Sequence, residues 1–172
     1  MRSTLLKLAT LAEQDSASLG SFDPKPLFAG NVYTFAPNAQ RYFEECVPAE
    51  SIDFEPFLIL SGADIASHSS EYIPSHYTTP FGFVTIATDT FGDALALDVT
   101  DGKVYHLSHE KYDEEGIHPG WNEDETEALP VVDVSRESII ETAEGYWKSI
   151  EEFLKDHLSY SQQENQENVL SS

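Results

Sequence analysis

The chain is 172 residues long, 40% apolar with ten Phe and eight Tyr, and carries 31 acidic against nine basic side chains for a formal net charge of −22. That apolar content supports a buried core and excludes wholesale disorder, while the charge excludes a surface built for direct binding to nucleic-acid phosphates. The single cysteine, Cys46, excludes an internal disulfide framework and fits a reducing compartment.

Leu5, Leu8, Leu11 and Ala12 fall at helical spacing and predict a short amphipathic helix over residues 3–14. Lys7 interrupts its apolar run and no small-residue cleavage site follows, so we read no export signal. No stretch approaches the roughly 18 apolar residues of a membrane span. The expected location is therefore the cytoplasm, with no membrane partner. Ser16 to Pro26 reads as loop, and Asn31–Phe35 as a short strand. Asn38–Cys46 reads as a helix entered through Pro37, with Phe43 as its buried contact. Phe57–Leu60 is an apolar run expected to form a buried strand, followed by a helical turn over Ile65–Tyr72 that Ile73-Pro74 ends.

Residues 81–109 form the best-defined pattern. Phe83–Thr88, Ala94–Val99 and Lys103–Ser108 read as three strands of a meander, separated by turns at Gly92-Asp93 and Asp101-Gly102. Alternation places Val84, Ile86, Leu95, Leu97, Val99, Tyr105 and Leu107 on one face. An acidic loop follows, with Glu110, Asp113, Glu114, Glu115, Glu123, Asp124, Glu125 and Glu127 punctuated by Gly116, Pro119 and Gly120. Leu129–Val132 reads as a last strand. From Ser135 as cap, the spacing of Ile139, Ile140, Ala143, Tyr146, Trp147, Ile150, Phe153, Leu154 and Leu158 predicts one long helix, with Gly145 marking a close approach to the sheet. The polar, low-complexity tail 159–172 reads as disordered. The expectation is one α+β domain over residues 1–158: a mainly antiparallel central sheet flanked by helices, with the long C-terminal helix packed on it.

Candidate chemistry is sparse. Asp93 and Asp98 bracket the middle strand and suit acid–base work, but an aspartate beside a turn glycine more often accepts backbone N–H bonds, and Asp98 is expected to face solvent. His106, His109, Asp113 and His118 lie within one short stretch, yet their spacing matches no strong zinc pattern; an imidazole bonded to a nearby carboxylate outweighs a metal site. Cys46 follows Glu44-Glu45, which raises rather than lowers a thiol pKa, and there is no Gly-x-Ser-x-Gly and no phosphate loop. These readings favour a binding protein over an enzyme, with no cofactor and no metal. Trp121 in the acidic loop reads equally as a cap on the core and as an exposed anchor for a partner.

The meander and its surroundings resemble the SUKH superfamily, which groups bacterial immunity proteins with fungal cell-wall-synthesis regulators. The resemblance rests on Phe83–Asp89, Gly92-Asp93, Leu95–Asp98, Gly102–Tyr105 and His109-Glu110, and on Trp147-x-x-Ile150-x-x-Phe153-Leu154 in the closing helix. It covers roughly residues 55–158; the N-terminal third departs from the family's pattern. Pro37–Phe43 is similar to an earlier helix of the family. The resemblance implies an α+β fold, no catalysis, and neutralisation of a cognate protein toxin, often a basic nuclease. The implied surface is acidic: Glu110, Asp113, Glu114, Glu115, Glu123, Asp124 and Glu125, with Tyr112 and Trp121 as anchors. Gly92, Asp93, Asp101 and Gly102 are then structural turn residues. The alternative is a regulatory or scaffold module of the same fold with another protein partner.

Overall fold

A computed structural model describes residues 1–14, 17–122, 124 and 126–158. The tail expected to be disordered, 159–172, lies outside the described residues, as do Glu123 and Glu125. The fold is α+β. Its elements in chain order are α1 (Arg2–Leu11), β1 (Leu19–Gly20), α2 (Pro37–Glu45), β2 (Val47–Pro48), β3 (Ile52–Phe54), β4 (Phe57–Ile59), α3 (Gly62–Glu71), α4 (Ser75–Thr78), β5 (Phe83–Asp89), β6 (Ala94–Asp98), β7 (Val104–Leu107), β8 (Tyr112–Asp113), β9 (Gly116–Ile117), α5 (Arg136–Thr142), β10 (Gly145–Trp147) and α6 (150–158).

Six strands form one antiparallel sheet in the order β10-β7-β6-β5-β4-β3. The meander is its centre. Both faces of the sheet are covered, because an antiparallel sheet of this apolarity has two sets of side chains to bury. Val84, Ile86, Leu95, Leu97, Val99 and Val104 pack with Leu5 and Leu8 of α1, Tyr42 and Phe43 of α2, and Ile150, Phe153 and Leu154 of α6. Phe83, Ala94, Ala96, Tyr105 and Leu107 pack on the other side with Tyr112, Ile117 and Ile139.

This division corrects one expectation from the alternation. Tyr105 and Leu107 do not share a face with Leu95 and Leu97. The register pairs Leu97 with Val104 and Ala96 with Tyr105, so Val104 takes the inner position and Tyr105 the opposite one. With apolar residues on both faces, polarity could not set the strand's phase. A bulge between Thr85 and Ala87, which pair with the consecutive residues Ala96 and Leu95, brings Val84, Ile86 and Ala87 into the same core.

The long C-terminal helix is also corrected. The chain leaves helix at Ala143, which is extended (ψ 139°), and β10 adds to the edge strand β7 before α6 begins. The two halves of the apparent apolar stripe serve different faces: Ile139 joins the core with Tyr105, while Ile150, Phe153 and Leu154 join the core with α1 and α2. A single straight helix cannot pack on both sides of a sheet. The chain crosses the edge as a strand, where Gly145 is a poor helix former, Tyr146 and Trp147 are good strand formers, and the backbone groups of β7 need partners. Gly145 makes no close approach: a Cβ there would meet nothing within 4 Å.

Two smaller expectations also change. Residues 31–35 form no strand; Tyr33 and Phe35 instead pack edge-on against Phe28. Leu129–Val132 contributes only a bridge from Val132 to Ile117, Pro130 lacking the N–H that a continuous ladder requires. Among the described residues, no helix is long and apolar enough to cross a membrane.

Candidate functional site

The acidic segment folds back on itself and lies against α5. Lys111 reaches the carbonyl of Thr142 at 3.0 Å, and Ile117 exchanges backbone hydrogen bonds with Val132, both 2.9 Å. Gly116 makes that approach feasible: its φ is 139°, and a Cβ would stand 2.4 Å from the Val132 carbonyl oxygen. Further out, Trp121 bridges Ala128, and the Asn122 side chain closes the tip by accepting from Thr126 N at 2.8 Å. The loop is therefore a tied hairpin.

Its apolar and acidic residues separate. Tyr112 and Ile117 point inward and cover the second core, and Tyr112 is only 4% exposed. This corrects the expectation that Tyr112 anchors a partner: as the first residue of β8 it is part of the core. Trp121 is the opposite case, 63% exposed, so of its two readings the core cap fails. Glu110, Glu114, Glu115, Asp124 and Glu127 are exposed as well. Asp113 is half-buried and paired with His118 Nε2 at 2.7 Å. Backbone donation from Glu115, foremost, and this histidine hold the Asp113 carboxyl below the usual range against the opposing effect of burial.

Two features of this surface were absent from the sequence reading. Leu129, Val131 and Val132 on the returning arm of the hairpin, and Ile140 on α5, are exposed. Asp133, Glu137, Glu141 and Glu144 are also exposed, so the acidic character continues across α5 to the start of β10. An assumed continuous helix hid both features by assigning Ile140 to a buried stripe.

The histidines divide differently from their order in the chain. His118 belongs with Asp113. His106 and His109 instead meet Asp93, and His106 also meets Asp89, which sequence reasoning passed over as a turn residue. Asp93 Oδ1 accepts from His109 N at 2.9 Å and lies 2.7 Å from His109 Nδ1. Asp89 Oδ1 accepts from Phe91 N and Asp93 N, both 2.9 Å. The remaining oxygens, Oδ2 of each aspartate, face His106 Nε2 at 3.7 Å (Asp89) and 3.3 Å (Asp93). Burial pushes the Asp93 carboxyl up, but the backbone and ring bonds from His109 and the nearby His106 together hold it below its ordinary value. The pattern Asp-x-x-Gly-Asp across a two-strand turn was the available signal, since such a turn brings its two ends together.

The other predicted turn lies between β6 and β7. Gly102 has φ 76°, and Asp101 accepts from Lys103 N at 2.8 Å. Asp98, however, is fully buried rather than solvent-facing: it accepts from Thr100 N at 2.8 Å and pairs with Arg136. Cys46 is buried, and burial is the main reason its thiol pKa is raised, with Glu45 adding to it and Arg41 opposing it.

No protein-family model, no curated protein and no solved structure matches the chain.

Proposed function

We propose that the chain is a non-catalytic, cytoplasmic binding protein of SUKH-like type that neutralises a basic protein toxin through the surface built by the 110–132 hairpin and α5. The observation that carries this reading is Trp121, 63% exposed on a tied hairpin whose returning arm exposes Leu129, Val131 and Val132 and whose acids are exposed as well. An exposed aromatic amid apolar neighbours is the usual centre of a protein interface, and a charged rim steers the encounter. The charge of −22 supports a basic partner and opposes direct nucleic-acid binding. The order of strand, Gly-Asp turn, strand, glycine turn and strand along the meander supports the family reading.

The test is recovery of the partner. The tagged chain is used to capture proteins from cells that carry the neighbouring genes, and the affinity of the recovered partner is measured by calorimetry. A variant with Glu114, Glu115, Asp124 and Glu127 changed to Lys is expected to bind at least about 10-fold more weakly, with a slower on-rate and a reduced salt dependence. Equal affinity for that variant rejects the acidic surface. A partner without toxicity when expressed alone rejects immunity in favour of a regulatory or scaffold module.

A further inference from the structure

The base of the β5–β6 turn carries a second feature that the partner surface does not explain. Asp89, Asp93 and His106 each offer a ligand atom, and these atoms lie within 4.8 Å of one another. The three come from two hairpins: Asp89 ends β5, Asp93 precedes β6, and His106 sits on β7 opposite Leu95. We propose that Asp89, Asp93 and His106 form a binding site for a divalent first-row transition ion, for which Zn²⁺ is the natural probe.

Separation is the first argument. Two ligand atoms about 2.1 Å from one ion stand about 3.0–3.6 Å apart when the angle between them is about 90–120°. His106 Nε2 lies 3.3 Å from Asp93 Oδ2 and 3.7 Å from Asp89 Oδ2. A movement of a few tenths of an ångström converts the second distance.

The orientation of the imidazole is the second. His106 Nε2 is shut off from solvent and has no hydrogen-bond partner. The nitrogen faces both carboxylates and makes a hydrogen bond to neither, so the three ligand atoms converge on one point.

The third is the support behind each ligand. Asp89 spends Oδ1 on two backbone N–H groups of its own turn. Asp93 spends Oδ1 on the backbone and ring of His109. His106 Nδ1 is turned toward Glu144 Oε2 at 4.0 Å. Each aspartate thus has one oxygen held by hydrogen bonds and the other turned to the site, the arrangement that orients metal ligands. The side chains of Asp89 and Asp93 are 10% and 13% exposed and that of His106 27%, so two carboxylates are largely withdrawn from water beside one imidazole. A nitrogen ligand with two carboxylates suits zinc and its first-row neighbours over calcium or magnesium, which prefer all-oxygen sets. The exposed turn residues Thr90, Phe91 and Gly92 leave an entry and room for water to complete the coordination.

A bound ion would fasten the β5–β6 turn to β7 just where the chain enters the acidic hairpin. The proposal does not rest on the partner reading, and its test needs no partner. The full chain is stripped with a chelator and titrated with Zn²⁺ by calorimetry, and amide shifts are followed by NMR. One equivalent is expected to bind, with shifts confined to residues 89–93 and 104–109. H106Q and D89N are expected to weaken binding at least about 10-fold, whereas H118Q, which breaks only the Asp113 pair, leaves it unchanged. The proposal is overturned if no stoichiometric binding occurs, if H106Q and D89N bind zinc like the parent chain, or if the shifts centre on other histidines. Should either variant fail to fold, the shift map of the unaltered chain decides.

Discussion

Arg136 holds the carboxylate of Asp98, a side chain with no exposed surface, with Nη2 2.5 Å from Oδ2. The same guanidinium donates to the Phe81 carbonyl and to Thr100 Oγ1, both at 2.8 Å, and lies 5.0 Å from the centre of the Phe83 ring. One residue at the start of α5 thereby ties that helix to the end of β6 and the start of β5.

Removing either partner strands the other. Arg136→Ala leaves Asp98 buried and charged without its cation, and we expect a loss of about 3–5 kcal/mol in urea unfolding. Arg136→Lys keeps the charge but not the three-way donation, so it should recover only part of that loss. An Arg136→Ala variant as stable as the parent chain would show that the pair adds nothing to folding.

Gly102 and Gly120 make a matched pair for backbone strain. Both have positive φ, 76° and 108°. A Cβ at Gly102 would fall 1.9 Å from Asn38 Oδ1, whereas one at Gly120 would meet nothing within 4 Å. Asn38 Nδ2 also donates to the Gly102 carbonyl at 2.7 Å, linking α2 to the β6–β7 turn. Gly120→Ala should cost about 1 kcal/mol from its dihedral alone. Gly102→Ala should cost about 2–3 kcal/mol, because the Asn38 bond is lost as well. In the Asn38→Ala background the Gly102→Ala penalty should fall toward the Gly120 value, read from denaturant midpoints.

Local chemistry was legible in the sequence, whereas the face that a side chain takes was not. Glycine turns, the Pro37 entry to α2 and the Ser135 cap are local chemistry, and each was visible in a few residues; Ser135 does close a capping box with Ser138. What failed was assignment of a side chain to a face. Tyr105 and Ile140 were placed by periodicity and Tyr112 by its acidic surroundings, yet the two tyrosines are buried on the second face of the sheet and Ile140 is exposed. Periodicity reveals that a face exists, but only the register with the neighbouring strand says which one, and the pairing of β10 with β7 is a contact between distant residues. The cluster at Asp89 and His106 was hidden for the same reason, since β6 lies between them in the chain while the hairpins bring them together.

His157 gives the fold a dependence on acid. Burial among Phe57, Phe153 and Trp147, whose ring centres lie 4.0, 4.5 and 5.6 Å away, lowers its pKa to about 4 despite the opposing pull of Asp156. The native state therefore holds the ring neutral. Above the unfolded value of about 6.5 both states are neutral and the full stability is present. Between about 6.5 and 4 only the unfolded chain takes the proton, so stability falls; below about 4 both are protonated and the loss is complete. Partial solvent access limits the loss to about 2–3 kcal/mol. His68, whose pKa burial also lowers, acts in the same direction. The measurement is the difference in unfolding free energy between the parent chain and His157→Phe from pH 7 to pH 4. That difference should shift in favour of the variant by the stated amount, and parallel curves would refute the assignment.

Trp121 and Tyr112 sit nine positions apart on the same hairpin and should respond oppositely to truncation. Trp121 is exposed and Tyr112 is packed with Ile117, Ile139 and Leu107 in the second core. Trp121→Ala removes little that folding uses, so its unfolding free energy should stay within about 0.5 kcal/mol of the parent chain. If the hairpin is the binding surface, the same change removes its central aromatic, and affinity for the captured partner should fall by about 2 kcal/mol or more, roughly 30-fold. Tyr112→Ala empties a core position and should cost about 3–5 kcal/mol of stability, as other buried aromatics do. Its effect on affinity should then be indirect, appearing only as the folded population declines. Calorimetric titration beside urea unfolding separates the two. A Trp121→Ala protein that binds as tightly as the parent chain would move the interface away from this hairpin, whatever the acids around it contribute.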